Sequence, residues 1–160
     1  MTKIARLGAV LLALASVDTS ASGVAASEAH VSRPAAYAYA AMIIKRAERN
    51  DIAAQALLGG MYSSGQGVPQ NFYEAAKWYY RAADQGNGGA QFSLAVLYNK
   101  GVGVPRDYVL AYMWINLAAS HAIGDDIDFT MRMRDAISSK MTPIQLDAAQ
   151  RLAVVWYREH

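Results

Sequence analysis

Apolar positions between residues 52 and 122 fall into two similar blocks, and each block reads as a pair of helices. In the first block, Ala54, Leu58, Met61 and Tyr62 lie three or four residues apart, so they share one face of a helix over Ile52 to Ser64. Gly65 follows where a helix needs a left-handed C-terminal residue, and Gly67 permits a second sharp turn. Pro69 then fixes its own φ and biases Val68 towards an extended shape. Asn71 is a good N-cap and has capping-box spacing to Glu74. The helix it opens carries Ala75, Trp78 and Ala82 on one face. The same pattern returns 36 residues later with Tyr98, Gly101, Gly103, Pro105, the cap Asp107 and Trp114. Residues 54–83 and 90–119 share 12 identities in 30 positions, well above the two or three expected by chance at about average composition. A repeat of this length marks a supersecondary unit that stacks on its own copies, because one helix pair cannot bury its apolar face alone. Tyr62, Tyr98, Trp78 and Trp114 are therefore expected to pack between helices, since they recur in register with the glycine turns.

Two units would leave both ends of the stack open, and about three are usually needed. The flanks are expected to supply the rest. Residues Pro34 to Arg49 read as a helix whose Tyr37, Ala40, Ala41, Ile44 and Ala47 cover the first unit. Asp125 to Ser139 reads as another. Thr142-Pro143-x-Gln145 is a strong helix start, with a threonine cap, proline at the first position and glutamine at the third. That last helix sets Leu146, Ala149, Leu152, Ala153 and Trp156 on one stripe. The expectation is about seven helices and no sheet. Residues 27–160 then form one domain: a helix at 34–49, repeats at 52–86 and 88–122, and a helical cap at 125–157.

The first 26 residues read as a secretory signal. Lys3 and Arg6 precede an apolar stretch from Leu7 to Val17, which is too short to span a bilayer as a helix. Small residues follow, and cleavage after Ala21 or Ala26 satisfies the small-residue rule. This places the mature protein in the periplasm or outside the cell, with no stable membrane insertion after cleavage.

Composition narrows the chemistry. Hydrophobic residues make up 54% of the chain and charged residues 18%, enough for a core and too little charge for a disordered chain. Without residues 1–26 the body is nearly neutral and has no basic run, which argues against nucleic-acid binding. There is no cysteine, so disulfides, thiolate metal sites and cysteine nucleophiles are excluded. The Gly-x-Gly turns follow helices and lack the lysine and hydroxyl of a phosphate loop. One cluster invites a catalytic reading: His121 near Asp125, Asp126 and Asp128, a basis for a metal-dependent or wall-active hydrolase. The plainer account is acidic residues at a helix start, favoured by the dipole and paired with Arg132 and Arg134. No catalytic motif accompanies the cluster, so the chain is read as a non-enzyme without a metal or other cofactor.

The pattern A-Q-x-x-L-G-x-x-Y-x-x-G-x-G-V-P-x-N/D-x-x-x-A-x-x-W-x-x-x-A-A resembles the Sel-one-like repeat, a relative of the tetratricopeptide repeat, over residues 52–122. The Met141-Thr142-Pro143 stretch resembles the helical tail of exported bacterial members. The resemblance implies an all-α fold: a short right-handed α-solenoid of stacked helix-turn-helix repeats with helical caps. It also implies a scaffold or adaptor that holds another protein or peptide on a concave surface. Two departures stand out. Ala95 replaces the glycine found at Gly59, and Ala122 ends the second unit where Gly86 ends the first.

Positions that differ between the two first helices mark the expected partner surface: Phe92, Val96, Asn99 and Lys100, with Leu57 and Ser63 in the first unit. Phe92 and Val96 are four apart and share a face. Either they anchor a docked peptide or domain, or Phe92 packs against the neighbouring unit.

Overall fold

Capped starts and glycine turns divide the described residues into seven helices. A computed structural model describes residues 33–122 and 124–160; the expected signal segment lies outside them. The helices are α1 (Arg33–Glu48), α2 (Ile52–Ser64), α3 (Phe72–Asp84), α4 (Gly88–Lys100), α5 (Tyr108–Ala119), α6 (Asp125–Ser138) and α7 (Pro143–Glu159). Among the described residues there is no strand. Val31–His160 form one compact unit, an α-solenoid in which each helix from α1 to α5 packs on the next.

Caps and turns set the helix ends. The Oδ1 atoms of Asp51, Asn71, Asn87 and Asp107 accept backbone N–H bonds at the starts of α2 to α5, at 2.8–3.1 Å. Thr142 and Gln145 exchange both bonds of a capping box at the start of α7. Each elbow is closed the same way. Gly65 N–H reaches Met61 O at 2.8 Å, and Gly101 N–H reaches Leu97 O at 2.8 Å. The first residue of the next turn then returns to the tyrosine, Asn71 N to Tyr62 O and Asp107 N to Tyr98 O. Gly65, Gly67, Gly101 and Gly103 all sit near φ +70°, where a β-carbon is strained.

The elbows also seat one unit on the last. A β-carbon at Gly103 would stand 2.3 Å from the carbonyl of Phe72, the first residue of α3. At Gly67 it would stand 2.8 Å from the carbonyl of Ala36 in α1. Ala36 and Phe72 are themselves 36 residues apart, so α1 meets the first elbow as α3 meets the second. The buried glutamines repeat the relation: Gln55 Nε2 donates to Ala47 O and Gln91 Nε2 to Ala83 O.

Two cores result. The first joins Ala40, Ile43 and Ala47 of α1 to Ala54, Leu58 and Met61 of α2. The second runs from α3 through α5 to Ala149 and Ala153 of α7, and includes Trp114, Ile115, Leu117 and Ile137. The repeated tryptophans are not equally placed. Trp114 is 3% exposed, edge-on to Tyr80 at 5.8 Å and to Trp156 at 6.5 Å. Trp78 is only half-buried, packed on the first core with the Arg81 guanidinium 4.6 Å over its ring. Only α1 precedes its helix pair, and the position there that corresponds to Tyr80 is Ile44, not an aromatic residue.

The far end departs from the pair geometry. Helices α6 and α7 both pack on α5 and make little contact with each other. The exit from the second unit also differs. Ser120, with a right-handed backbone, caps α5, whereas Gly86 follows α3 at φ +84°.

Candidate functional site

Between α4, α5 and α6 lies an open cavity of about 440 Å³, floored by Phe92 of α4 and Phe129 of α6 with ring centroids 5.6 Å apart. Gly88, Gly89, Ala118 and Ala122 line its walls, and His121, Asp126 and Thr130 add polar groups. The volume suits one or two large side chains and lies in the lower part of the range of small-molecule sites.

Local sequence explains why it stays open. Gly88 and Gly89 start α4 without side chains, and Ala118 and Ala122 offer only methyl groups. On α6, the run Ile127, Phe129, Met131 and Met133 alternates with polar residues. Alternation suits a strand; wound into a helix it divides the apolar groups between two opposite sides. Ile127, Phe129 and Met131 consequently stay exposed, while Thr130 and Ile137 of α6 are buried. Phe129 was not among the sequence-marked residues, and this alternation is the signal that would have found it.

Of the sequence-marked surface, Phe92 alone lines the cavity. It is half-buried, with its ring against Phe129 of α6. Val96 is half-buried on α4 and Lys100 is exposed. Asn99 is tied to the α6–α7 turn, where its Oδ1 accepts from Lys140 Nζ at 3.0 Å. Leu57 is exposed and Ser63 half-buried, both on α2 and outside the cavity.

The acidic cluster is only partly assembled. His121 and Asp126 line the same cavity, while Asp128 is exposed. The His121 Nδ1–H donates to Leu117 O at 3.1 Å, which leaves Nε2 as the remaining ring nitrogen. Among the described residues, no three histidine, aspartate or glutamate side chains gather as a metal site needs. Arg134 pairs with Asp135 at 3.2 Å rather than with an acid of the cluster.

His121 also takes part in a polar substitution between units. In unit one, Gln85 Nε2 donates to Gln55 Oε1 at 2.7 Å and to Asn50 Oδ1 at 3.1 Å. The residues 36 positions on are His121 and Gly86, and neither reaches Gln91. Gln91 Oε1 is buried without a hydrogen-bond partner. Near the elbow, burial raises the Tyr98 phenol above its ordinary pKa, with Tyr80 and Asp107 adding to the effect.

The Sel1 repeat family model matches residues 52–87 and 89–122. Among solved structures, the chain is similar to a protective antigen present in uropathogenic Escherichia coli strains that displays an SLR fold. The TM-score is 0.72 and the identity 32%, over 79% of this chain and 27% of that one. It is also similar to a Sel1 repeat protein from Oxalobacter formigenes, with a TM-score of 0.51 and 34% identity, over 55% of this chain and 35% of that one. The chain thus spans about a third or less of the length of these relatives. No curated protein matches it.

Proposed function

Because this chain carries two Sel1 repeats in an SLR fold, and such repeats are generally protein–protein interaction scaffolds, we propose that it holds a partner protein at the α4–α5–α6 cavity. The observation that carries this reading is the pair of phenylalanines at the floor of an open, largely apolar cavity. Phe129 is 51% exposed, and Phe92, Ala118 and Ala122 supply the rest of the apolar lining. A contiguous apolar patch around a recess is the arrangement that seats an anchoring side chain. The partner inserts an apolar side chain over Phe92 and Phe129, with Asp126 and His121 at the polar rim. Val96 and Lys100 extend the contact along α4.

Site-specific photocrosslinking tests this. A crosslinker at Phe129 should capture a defined partner, and one at Tyr73 on α3 should not. Phe92→Glu with Val96→Glu should abolish capture while helicity is retained. Equal capture from both positions, or capture by the folded double variant, overturns the proposal.

The same reading includes export. It is supported by Lys3, Arg6, the Leu7–Val17 stretch and the small residues around Ala21 and Ala26. Among the described residues, no helix is long and apolar enough to cross a membrane. Mass spectrometry of the protein from the periplasm or medium should find a chain starting after Ala21 or Ala26. An intact N-terminus on cytoplasmic protein would remove the export part.

A further inference from the structure

Helix α1 is the second helix of an unfinished repeat, and its open side faces where the first helix of that repeat would lie. The 36-residue register runs straight through it. Ala40 and Ala47 correspond to Ala76 and Ala83, and all four are buried. Asn50 corresponds to Gly86, at φ +67° and +84°. Asp51 corresponds to Asn87, and each caps the next helix. Ala47 and Ala83 accept from equivalent glutamines.

The difference is confined to one stripe. Ala75, Trp78 and Ala82 share one side of α3: Ala75 and Ala82 are fully buried, and Trp78 packs on the first core, which α2 helps to build. Their α1 counterparts are Tyr39, Met42 and Arg46. Tyr39 is 49% exposed, Met42 46%, and the Arg46 side chain 52%. Tyr37 marks the contrast, because it is exposed to the same degree as its counterpart Tyr73, 60% against 61%. Tyr39, Met42 and Arg46 are thus each more exposed than their α3 counterparts, whereas Tyr37 is not.

The stripe carries no charge through Met42. Ala35, Ala38, Tyr39 and Met42 are all exposed and fall on one side of α1, with small residues between the large ones. Residues 16–28 would hold the missing first helix in register, but the chain there has alanine at 29, valine at 31 and arginine at 33 instead of the Gly-x-Gly-x-Pro elbow. The elbow that joins the two helices of a repeat is thus missing before α1.

We infer that the slot is filled by α1 of a second copy, the two helices crossing about a two-fold axis near Tyr39 and Met42. A two-fold contact places each open stripe on the other, which closes both arrays at their unfinished ends. The uncharged middle is compatible with itself. Crossing at an angle keeps the Lys45–Arg49 ends apart, as helices packed through ridges and grooves diverge from the contact. One helix face is smaller than the roughly 800 Å² per partner of a standard interface, so the dimer should be weak and concentration-dependent. This pairing does not depend on the partner site at α4–α6.

The experiment uses the protein as isolated from its native compartment, its N-terminus defined by mass spectrometry. Sedimentation velocity over a wide concentration range should show a monomer–dimer equilibrium. Tyr39→Glu with Met42→Glu should shift it to monomer, and Tyr37→Glu on the same helix should leave it unchanged. Because the chain has no cysteine, single substitutions report geometry directly. Met42→Cys should form a disulfide dimer on mild oxidation, and Tyr37→Cys should not. A monomer at every concentration overturns the proposal. So does a dimer indifferent to the double glutamate, or one that crosslinks α1 only to an engineered cysteine on α7.

Discussion

The ring of Tyr79 lies across Gly59 so closely that a β-carbon there would stand 2.6 Å from Cδ1. The pair marks the seam between α2 and α3. In the second unit the same two positions hold Ala95, fully buried, and Ile115, fully buried. A flat ring needs a bare backbone beneath it, and a branched aliphatic chain leaves room for a methyl group. The replacement of glycine by alanine at 95 is thus one half of a coupled exchange. Gly59→Ala alone should cost about 1–3 kcal/mol, the range for overpacking a filled core. Tyr79→Ile in the same chain should recover part of that loss, as a double-mutant cycle by chemical denaturation would read. Simple additivity of the two changes would refute the coupling.

The elbows predict a graded response to added β-carbons. Gly103→Ala meets the backbone carbonyl of Phe72, which cannot step aside, and also carries the strain of φ +72°. Gly86→Ala carries similar strain at φ +84° but meets nothing within 4 Å. The cost at Gly86 should be about 1 kcal/mol, and at Gly103 it should be clearly larger, with loss of the contact between units. Thermal melts of the two variants compare them directly.

The two tryptophans should separate in both stability and emission. Trp114→Ala removes a buried ring between Tyr80 and Trp156 and should cost about 3–5 kcal/mol. Trp78→Ala removes a half-buried ring and should cost about half as much. Chains keeping only one of the two tryptophans, with Trp156 replaced by Phe, should emit further to the blue for Trp114. Equal emission would contradict the unequal burial.

Acid should loosen the α1–α2 junction first. The Asp51 carboxyl lies below its ordinary value, because the Ala54 N–H and then the Arg46 guanidinium favour its charged form. A lowered folded pKa gives stability that is complete above the ordinary carboxylate range and fades as pH falls through the lowered value. Protection of the Ala54 amide, taken relative to its intrinsic exchange rate at each pH, should therefore fall at low pH. Asp51→Asn should abolish that pH dependence while keeping the cap, since Asn87 caps α4 in the same way.

His121→Gln should stabilise the fold. It returns to Gln91 Oε1 the donor that Gln85 supplies to Gln55, at a position where the acceptor is buried and unpaired. A gain of about 0.5–1.5 kcal/mol is expected, the usual net worth of one hydrogen bond. An unchanged or lowered melting temperature would count against it.

Most of the helical frame was legible because its signals are local. The caps Asn71 and Asp107, the threonine-proline start at Thr142 and the glycine pairs each act within a few residues of themselves. The site was less legible. Phe92 was marked by its variability between units, but its companion Phe129 comes from a helix outside the repeat, where no register points to it. Asn99 was read as open surface and is bound to Lys140, 41 residues away.

The sequence by itself determined the helices, the elbows and the period, since these follow from φ preferences, side-chain capping and the spacing of apolar residues. Tertiary structure decided what lies next to what at the two ends of the array. Only packing shows that α1 continues the register with one side uncovered, that α6 and α7 both lean on α5, and that Trp78 is half open where Trp114 is closed. A repeat specifies its neighbours only while it continues; where it stops, burial depends on side chains brought from distant parts of the chain.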